Sequence, residues 1–502
     1  MSAKRTHAII KDTALYSAAN FFSQIIGIFT SILLRKFLGP VYIGIWSLAQ
    51  VLLGYCGYAS FGTTKALMRD YPCLLAKGEN QNAEKLKNVI LTFSMIASII
   101  PMVLLLGYTC LKWLQLSPAL RNTLLFISFF LFIQRFYDVL MALLRSEKRF
   151  VLLSKLLVVN AAGMLLVALI FVPFWGFYGL LLGSALILLA CMAVVYWDHV
   201  YCFLYSWDSK VLSSELRLGI PLLVSGFLGE LLRSADKWVI TKELGFYELG
   251  LYSLAMMANT YVFSLPMMFA HVWYPNLQEV YGKKQNAQDV ANYLLKPVAV
   301  ISVLCPFLAG IAIFILPVVI ELVLPKFLPG LLPMKIYLFG TLFVLLAQFS
   351  LNFLITLDHC WIGIPLALMG ILCNVGGALF LLHQGYGLTG VAISSSGAFA
   401  IYGLTAYAVA LRQFASFKQA LYKIAELASL SMVFFVIIYT IDWLVQMDRR
   451  WAAAMLKLLI FSVFSLPFFL YLNKKTQVLS RIGEVLKNPF ERPLASSGAE
   501  GS

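Results

Sequence analysis

Charge is what this 502-residue chain has least of: 12% of its residues are Asp, Glu, Lys or Arg, against about 25% in a soluble domain. That scarcity, with 61% hydrophobic residues and a mean hydropathy of +0.86, excludes an ordinary soluble fold. The eight cysteines include no Cys-x-x-Cys pair and the five histidines no His-x-x-x-His pair, so no metal site is expected and the cysteines read as small apolar core residues. No Gly-x4-Gly-Lys-Ser/Thr loop occurs, so no ATP site is expected. Long polar loops are also missing. The longest internal ones, 65–87 and 273–296, have room for about one amphipathic helix each and none for a soluble catalytic domain.

What is present is a series of apolar runs of bilayer-spanning length, roughly 20 residues each. Fourteen can be marked, from 13–34 and 41–64 through 219–241 to 451–472. The first lacks a small-residue cleavage site and is expected to be retained. The net charge of +15 follows the spans: with the N-terminus in the cytoplasm, 25 of the 38 Lys and Arg fall in cytoplasmic segments and nine in external ones. This is the positive-inside bias. The excess charge therefore reports topology and contact with anionic membrane lipid, and no nucleic-acid partner is expected. All ten Trp sit near span ends, as an interfacial belt requires.

The chain also repeats itself. "KFLGPVYIGIWSLA" (36–49) matches "KELGFYELGLYSLA" (242–255) at an offset of 206, and "GFYGLLLGS" (176–184) matches "GLTGVAISS" (387–395) at 211. Two halves of six spans each are expected, entering the membrane in the same direction: an N-lobe at 1–205, a C-lobe at 206–412, an appended pair of spans at 413–472 and a cytoplasmic tail at 473–502. The expected fold is thus an all-α polytopic membrane protein of 14 helices, with two six-helix lobes around a central cavity. The same comparison disposes of "GYGLTG" (385–390), which fits the Gly-x-Gly-x-x-Gly pattern. It lacks the strand and βαβ unit that a dinucleotide site needs and falls where two membrane helices turn, so no cofactor is expected.

The segment "LRLGIPLLVSGFLGELLRSADKWVITKELGFYELGLYSLA" (216–255) resembles the seventh-span signature of the bacterial polysaccharide transporter family. Its marks are a Gly-x-Pro start, an Asp-basic pair, Leu-Gly and Gly-x-Tyr. "RKFLGPVYIGIWSLA" (35–49) is similar to that family's first hairpin. The family is grouped with multidrug and toxin extrusion transporters and peptidoglycan-precursor flippases. The resemblance implies a flippase of the O-antigen or exopolysaccharide type, a step in polysaccharide or lipopolysaccharide biosynthesis, moving an undecaprenyl-pyrophosphate-linked oligosaccharide across the bacterial inner membrane. Peptidoglycan-precursor flippases carry basic residues in the first span, where this chain has the amides Asn20 and Gln24.

The charges inside spans are the strongest local signal. A charged residue at the bilayer centre costs about 2.5–3.5 kcal/mol even on lenient scales. Span seven nevertheless carries Glu230, Arg233, Asp236 and Lys237. At about 100° per residue, Glu230, Arg233 and Lys237 share a stripe about 60° wide and Asp236 lies beside it. Span four carries Arg135 and Asp138 one turn apart. Two readings follow. The cations Arg135, Arg233 and Lys237, with Glu230, Asn20 and Gln24, bind a pyrophosphate-linked glycan, for which the planar Arg fork is suited. Alternatively Glu230–Arg233 and Arg135–Asp138 are closed salt bridges that pin helices. Lys457 in span fourteen is expected to snorkel to an interface.

The expected activity is therefore transport by alternating access and not an enzymatic reaction. Asp138, Asp236 and Glu230 are the candidates for H⁺ or Na⁺ coupling, and a glycan polymerase or ligase is a possible partner. An exporter of drugs or organic cations on the same architecture is the alternative. A membrane glycosyltransferase or ligase is a third reading, opposed by the short external loops.

Overall fold

The structure is a computed structural model that describes residues 3–198, 201, 203–445 and 450–476. Most of the expected tail, from 477 on, lies outside the described residues. Everything described is helix or connection, with no strand among the described residues. The helices are α1 (Ala3–Gly57), α2 (Thr63–Ala76), α3 (Asn80–Ala97), α4 (Ile99–Leu111), α5 (Pro118–Ser146), α6 (Phe150–Leu166), α7 (Val172–Asp198) and α8 (Ser209–Glu243). They are followed by α9 (Phe246–Lys284), α10 (Ala291–Val323), α11 (Leu331–Thr356), α12 (Gly363–His383), α13 (Gly387–Leu411), α14 (Phe417–Leu444) and α15 (Arg450–Thr476).

The helices overlap the expected spans without matching them one to one, and their breaks have local causes. α1 holds span one and most of span two, divided at Gly39 (φ 73°, ψ 177°) before Pro40. α3 and α4 form span three, parted at Ser98 because Pro101 has no N–H and crowds the carbonyl four residues back. A single π turn, Val167–Phe171, takes up the missing donor of Pro173 between α6 and α7. Ser416 and Gln419 close a capping box at the start of α14, and the Asp208 carboxylate accepts from the N–H groups of Lys210 (2.9 Å) and Val211 (3.2 Å) at the start of α8.

Among the described residues ten segments are long and apolar enough to cross a membrane, and two of them, Leu15–Ser60 and Phe150–Trp197, run 46 and 48 residues, long enough for two crossings each. Many of their outward side chains are large and apolar: Leu104, Phe129, Phe174, Leu372 and Met455 are all exposed. Such extended apolar surface is tolerated in lipid and not in water. The chain is a multi-pass membrane protein. α8, which carries the charged run, is not among the ten.

The chain packs as two compact units, one of residues 1–257, 320–334 and 360–398, the other of 258–319, 335–359 and 399–502. This division concerns which helices touch, whereas the repeats are a matter of matching sequence. In the first unit, Leu67 and Tyr71 of α2, Leu86 and Ile90 of α3 and Val139 and Leu143 of α5 form one core cluster. A second joins Ala49, Leu53 and Cys56 of α1 to Ile127 and Leu131 of α5 and Leu188 of α7. In the second unit the wholly buried Phe461 of α15 stacks on Phe307 of α10 and meets Phe434 of α14 edge-on. A Cβ on Gly310 would come within 2.5 Å of its ring.

The matched motifs adopt matched backbone. Gly39 and Gly245, 206 apart, both have positive φ (73° and 91°); so do Gly176 and Gly387, 211 apart (56° and 53°). A Cβ on Gly44 would overlap the Phe246 carbonyl oxygen, and a Cβ on Gly250 would overlap that of Pro40. Gly44 pairs with Gly250, and Pro40 with Phe246, at the offset of 206. The second leg of α1 and the start of α9 thus cross by a reciprocal contact in which each lends a glycine to the other's carbonyl.

Candidate functional site

On α8, Arg233 Nη2 donates to Glu230 Oε2 at 2.6 Å. Both side chains remain about a third exposed, 36% and 31%, so the pair is not enclosed. Lys237 follows on the same stripe, half-buried, and no ion pair within 4 Å holds its ammonium among the described residues. Beside this stripe, Phe227 and Trp238 of α8 meet two tyrosines at and just after the end of α1. Tyr55 and Tyr58 each meet Phe227 edge-on, at centroid distances of 5.6 and 5.4 Å, and Tyr55 stacks on Trp238 at 6.3 Å. Polar contacts accompany these rings. Trp238 Nε1 donates to Tyr55 Oη (3.1 Å), Tyr55 Oη lies 2.6 Å from Ser234 Oγ, and Ser234 Oγ donates to the Glu230 carbonyl (2.6 Å). Tyr58 Oη donates to the Gly226 carbonyl at 3.0 Å.

Asp236 points the other way, as its place beside the stripe requires. It is wholly buried. Its Oδ2 accepts from Tyr252 Oη of α9 (2.7 Å), and its Oδ1 accepts from the Lys237 backbone N–H (2.9 Å). Ser395 Oγ of α13 lies within hydrogen-bond distance of both Asp236 Oδ2 (3.3 Å) and Asn374 Oδ1 of α12 (3.2 Å). A hydroxyl has one proton to give, so it serves only one of these oxygens at a time. Asn374 Nδ2 donates to the Leu232 carbonyl at 3.3 Å. Asp236 is therefore one member of a compact set of oxygen groups from four helices.

Arg135 of α5 is only 5% exposed. Its Nη2 donates to the Cys56 carbonyl of α1 (2.8 Å) and its Nη1 to Asp138 Oδ2 (3.3 Å). Its Nε and the neighbouring Gln134 Oε1 are buried without hydrogen-bond partners among the described residues. Cys56 directly follows Tyr55, whose hydroxyl bonds to α8. The end of α1 thus bonds to Arg135 on α5 and to Ser234 on α8, and no hydrogen bond or ion pair joins Arg135 to Glu230, Arg233 or Lys237 among the described residues.

Gln24 lines a separate cavity of about 410 Å³ formed by α1 and α6. Asn20, one turn earlier, is half-buried and not part of the lining. The same lining includes Ser23, Thr30, Ser31, Arg35, Ser47 and Asn160. Arg35 is buried. Its Nη1 donates to the Ser31 carbonyl (3.0 Å) and hydroxyl, and its Nη2 to the carbonyl (2.9 Å) and hydroxyl (3.2 Å) of Ser253 on α9. Arg35, Tyr55, Tyr58 and Trp238 escape a reading of charge within spans. Arg35 sits at a span end, where a cation is unremarkable, and the tyrosines' only signal is their spacing of three beside Gly54 and Gly57.

In the second unit, Lys457 does not snorkel. Its Nζ lies 2.7 Å from Asp442 Oδ1, while Lys335 of α11 takes Asp442 Oδ2 at 2.6 Å. The partner lies on another helix, out of reach of a one-helix argument. Gln348 Nε2 donates to Asn352 Oδ1 at 3.2 Å, an amide pair within α11.

The family model described as polysaccharide biosynthesis protein matches residues 72–326; the chain belongs to that family. No curated protein matches it. Among solved structures it is similar to the lipid II flippase MurJ in an inward closed conformation, at 16% identity and a TM-score of 0.66 over 92% of this chain and 99% of that one. It is also similar to an inward-facing multidrug resistance MATE family transporter of the MOP superfamily, at 16% identity and 0.61 over 83% and 95%. A third is a Vibrio cholerae MATE transporter, at 14% and 0.59 over 81% and 97%. At such identities the likeness establishes a shared fold.

Proposed function

We propose that this member of the polysaccharide biosynthesis family is a flippase for a lipid-linked oligosaccharide, carried on undecaprenyl pyrophosphate across the bacterial inner membrane by alternating access. In this reading both termini are cytoplasmic and the glycan is handed on outside to a polymerase or ligase. The observation that carries it is the α8 stripe of Glu230, Arg233 and Lys237, beside which Phe227 and Trp238 of the same helix pack on Tyr55 and Tyr58. Cations suit a pyrophosphate, and the faces of aromatic rings suit the apolar faces of sugars. Glu230 keeps the unloaded stripe close to neutral and yields Arg233 when the phosphate arrives. Arg135, behind α1, supports the tyrosines from Cys56 in this reading and adds positive potential. Asn20 and Gln24 belong to the polar interior of the first repeat.

Asp236 is the coupling carboxylate we favour over Asp138 and Glu230, which are engaged with Arg135 and Arg233. Its oxygen neighbours, one of them a hydroxyl shared between two acceptors, suit a proton or Na⁺, a hard cation that takes oxygen ligands. The test is flipping of a fluorescent polyprenyl-pyrophosphate glycan in proteoliposomes. Arg233→Ala and Lys237→Ala should each slow it about 10–100-fold, the weight of a charged hydrogen bond lost. Undiminished flipping in both would overturn the reading. The buried Asp236 equally suits export of organic cations in exchange for an ion. In that case the same two substitutions leave cation efflux intact, and glycan delivery proceeds without this protein.

A further inference from the structure

Away from the stripe, α2 meets the first turns of α8 in the segments that would face the cytoplasm. Gly62 and Gly219 approach so closely that a Cβ on Gly219 would stand 2.6 Å from the Phe61 carbonyl oxygen and one on Gly62 2.5 Å from the Gly219 oxygen. Two turns along α2 from Gly62, the Asp70 carboxyl is within hydrogen-bond reach of that of Glu215 on α8. Glu215 is 6% exposed, and its Oε2 is buried without a hydrogen-bond partner among the described residues. Two carboxylates cannot both be ionised at such range without strong repulsion.

From α2, Arg69 binds Asp70 through Nε (2.6 Å) and Nη2 (2.8 Å), and Lys65 lies beside Gly226, about three turns further along α8. From α3, Lys85 is held by Asp208 at 2.5 Å and Lys87 by Glu84. On α8, Lys210 and Arg217 are exposed and neither bonds to Glu215 among the described residues. Glu215 therefore has the Asp70 carboxylate as its immediate partner, and the nearby Arg69 is already bound to Asp70.

We propose that Asp70 and Glu215 bind one proton between them, and that this proton latches α2 to the start of α8; its loss to water on the same face frees the contact. The proposal deepens the transporter reading, on which it rests for what the latch would gate. Arg69 holds Asp70 below the usual carboxylate range, so Asp70 is the ionised acceptor. Burial, and then the adjacent Asp70, push Glu215 up to about 7 from its ordinary 4.5. Because the raised value belongs to the closed contact, the proton favours closure fully below the ordinary value, and the preference is lost as pH rises through about 7. The interval bounds the shift at roughly 300-fold in the closed-to-open ratio.

The experiment is a spin-label distance measurement on the full chain in lipid nanodiscs, with native cysteines replaced and labels at Met68→Cys and Ser214→Cys, two exposed positions on α2 and α8. From about pH 5 to about pH 8.5 the short-distance population should fall from dominant to minor. Glu215→Gln, which keeps the hydrogen-bond donor and never ionises, should hold the short distance throughout, and Asp70→Asn should move the midpoint down by a pH unit or more. An unchanged distribution across the range, or the same response in Glu215→Gln, would overturn the latch. No substrate is needed. Loss of the flippase reading would leave this result standing, and a pH-invariant distance would leave the flipping assay untouched.

Discussion

The two repeats place different chemistry at equivalent positions. In the second, Asp236, Tyr252, Asn374 and Ser395 form a buried carboxylate network. At offsets of 206 and 211 the first repeat has Thr30, Trp46, Gly163 and Ser184. Thr30 and Ser184 spend their hydroxyls on their own helices, at Ile26 O (2.9 Å) and Leu181 O (2.7 Å). In place of a closed network the first repeat keeps the 410 Å³ cavity, whose lining contains Arg35 and no carboxylate. The second repeat has a buried acid held in a hydrogen-bond network, and the first has a cavity whose lining holds no acid. The backbone of the two halves has stayed alike where they cross, at Gly44 and Gly250, while the interiors have separated in charge. That is the pattern expected if a coupling ion is bound in the second repeat alone.

The comparison is broken most severely at Asp236. Asp236→Asn keeps the shape and the partners but removes the charge, so cation affinity measured by isothermal titration should fall about 10–100-fold, as when a metal site loses a supporting group. The equivalent change in the first repeat, Thr30→Val, removes only a hydroxyl bonded to its own helix and should leave affinity unchanged. Equal effects at the two positions would mean that the buried carboxylate does not set cation binding.

The next largest effect tests the likeness. Gly44→Ala and Gly250→Ala each force a methyl group into a carbonyl oxygen of the opposite element, an overpacking that costs about 1–3 kcal/mol. Because the contact is reciprocal, the two should lower the thermal midpoint in detergent to a similar degree. A silent Gly44→Ala beside a damaging Gly250→Ala would show that the crossing is not symmetric.

How far these residues were legible follows from which of them act within one helix. The spacing of Glu230 and Arg233 announces their pair, and the place of Asp236 beside the stripe announces that it faces elsewhere. The matched Gly-containing motifs announce the positive φ at Gly39, Gly245, Gly176 and Gly387. What the sequence hides is which helix lies opposite. Tyr55 meets Ser234 across 179 residues and Arg35 meets Ser253 across 218. Lys457 looks unpaired until Asp442 arrives from α14, and Glu215 looks like an ordinary surface acid until α2 brings Asp70 to it. Arg135 was legible as a buried cation, but its bond to the Cys56 carbonyl, which puts α1 between it and α8, is a fact of packing.

Smaller effects sharpen the contrast between the interiors. Arg35→Gln removes a guanidinium that ties α1 to the Ser253 carbonyl, a charged hydrogen bond worth about 1.5–3 kcal/mol. It should lower the thermal midpoint without altering cation binding, since Asp236 is not among its partners. Tyr252→Phe is the finest probe. It deletes the 2.7 Å hydrogen bond to Asp236 Oδ2 and leaves the ring, the Lys237 N–H and Ser395 in place. The expected loss is about 1 kcal/mol, roughly a fivefold weakening of cation binding if the hydroxyl is a ligand. If the hydroxyl only occupies the carboxylate in the empty state, its removal frees an oxygen and binding tightens instead. Titration of the variant with Na⁺ and with protons separates the two, and only the first outcome makes Tyr252 part of the site that the Trp46 of the first repeat has lost.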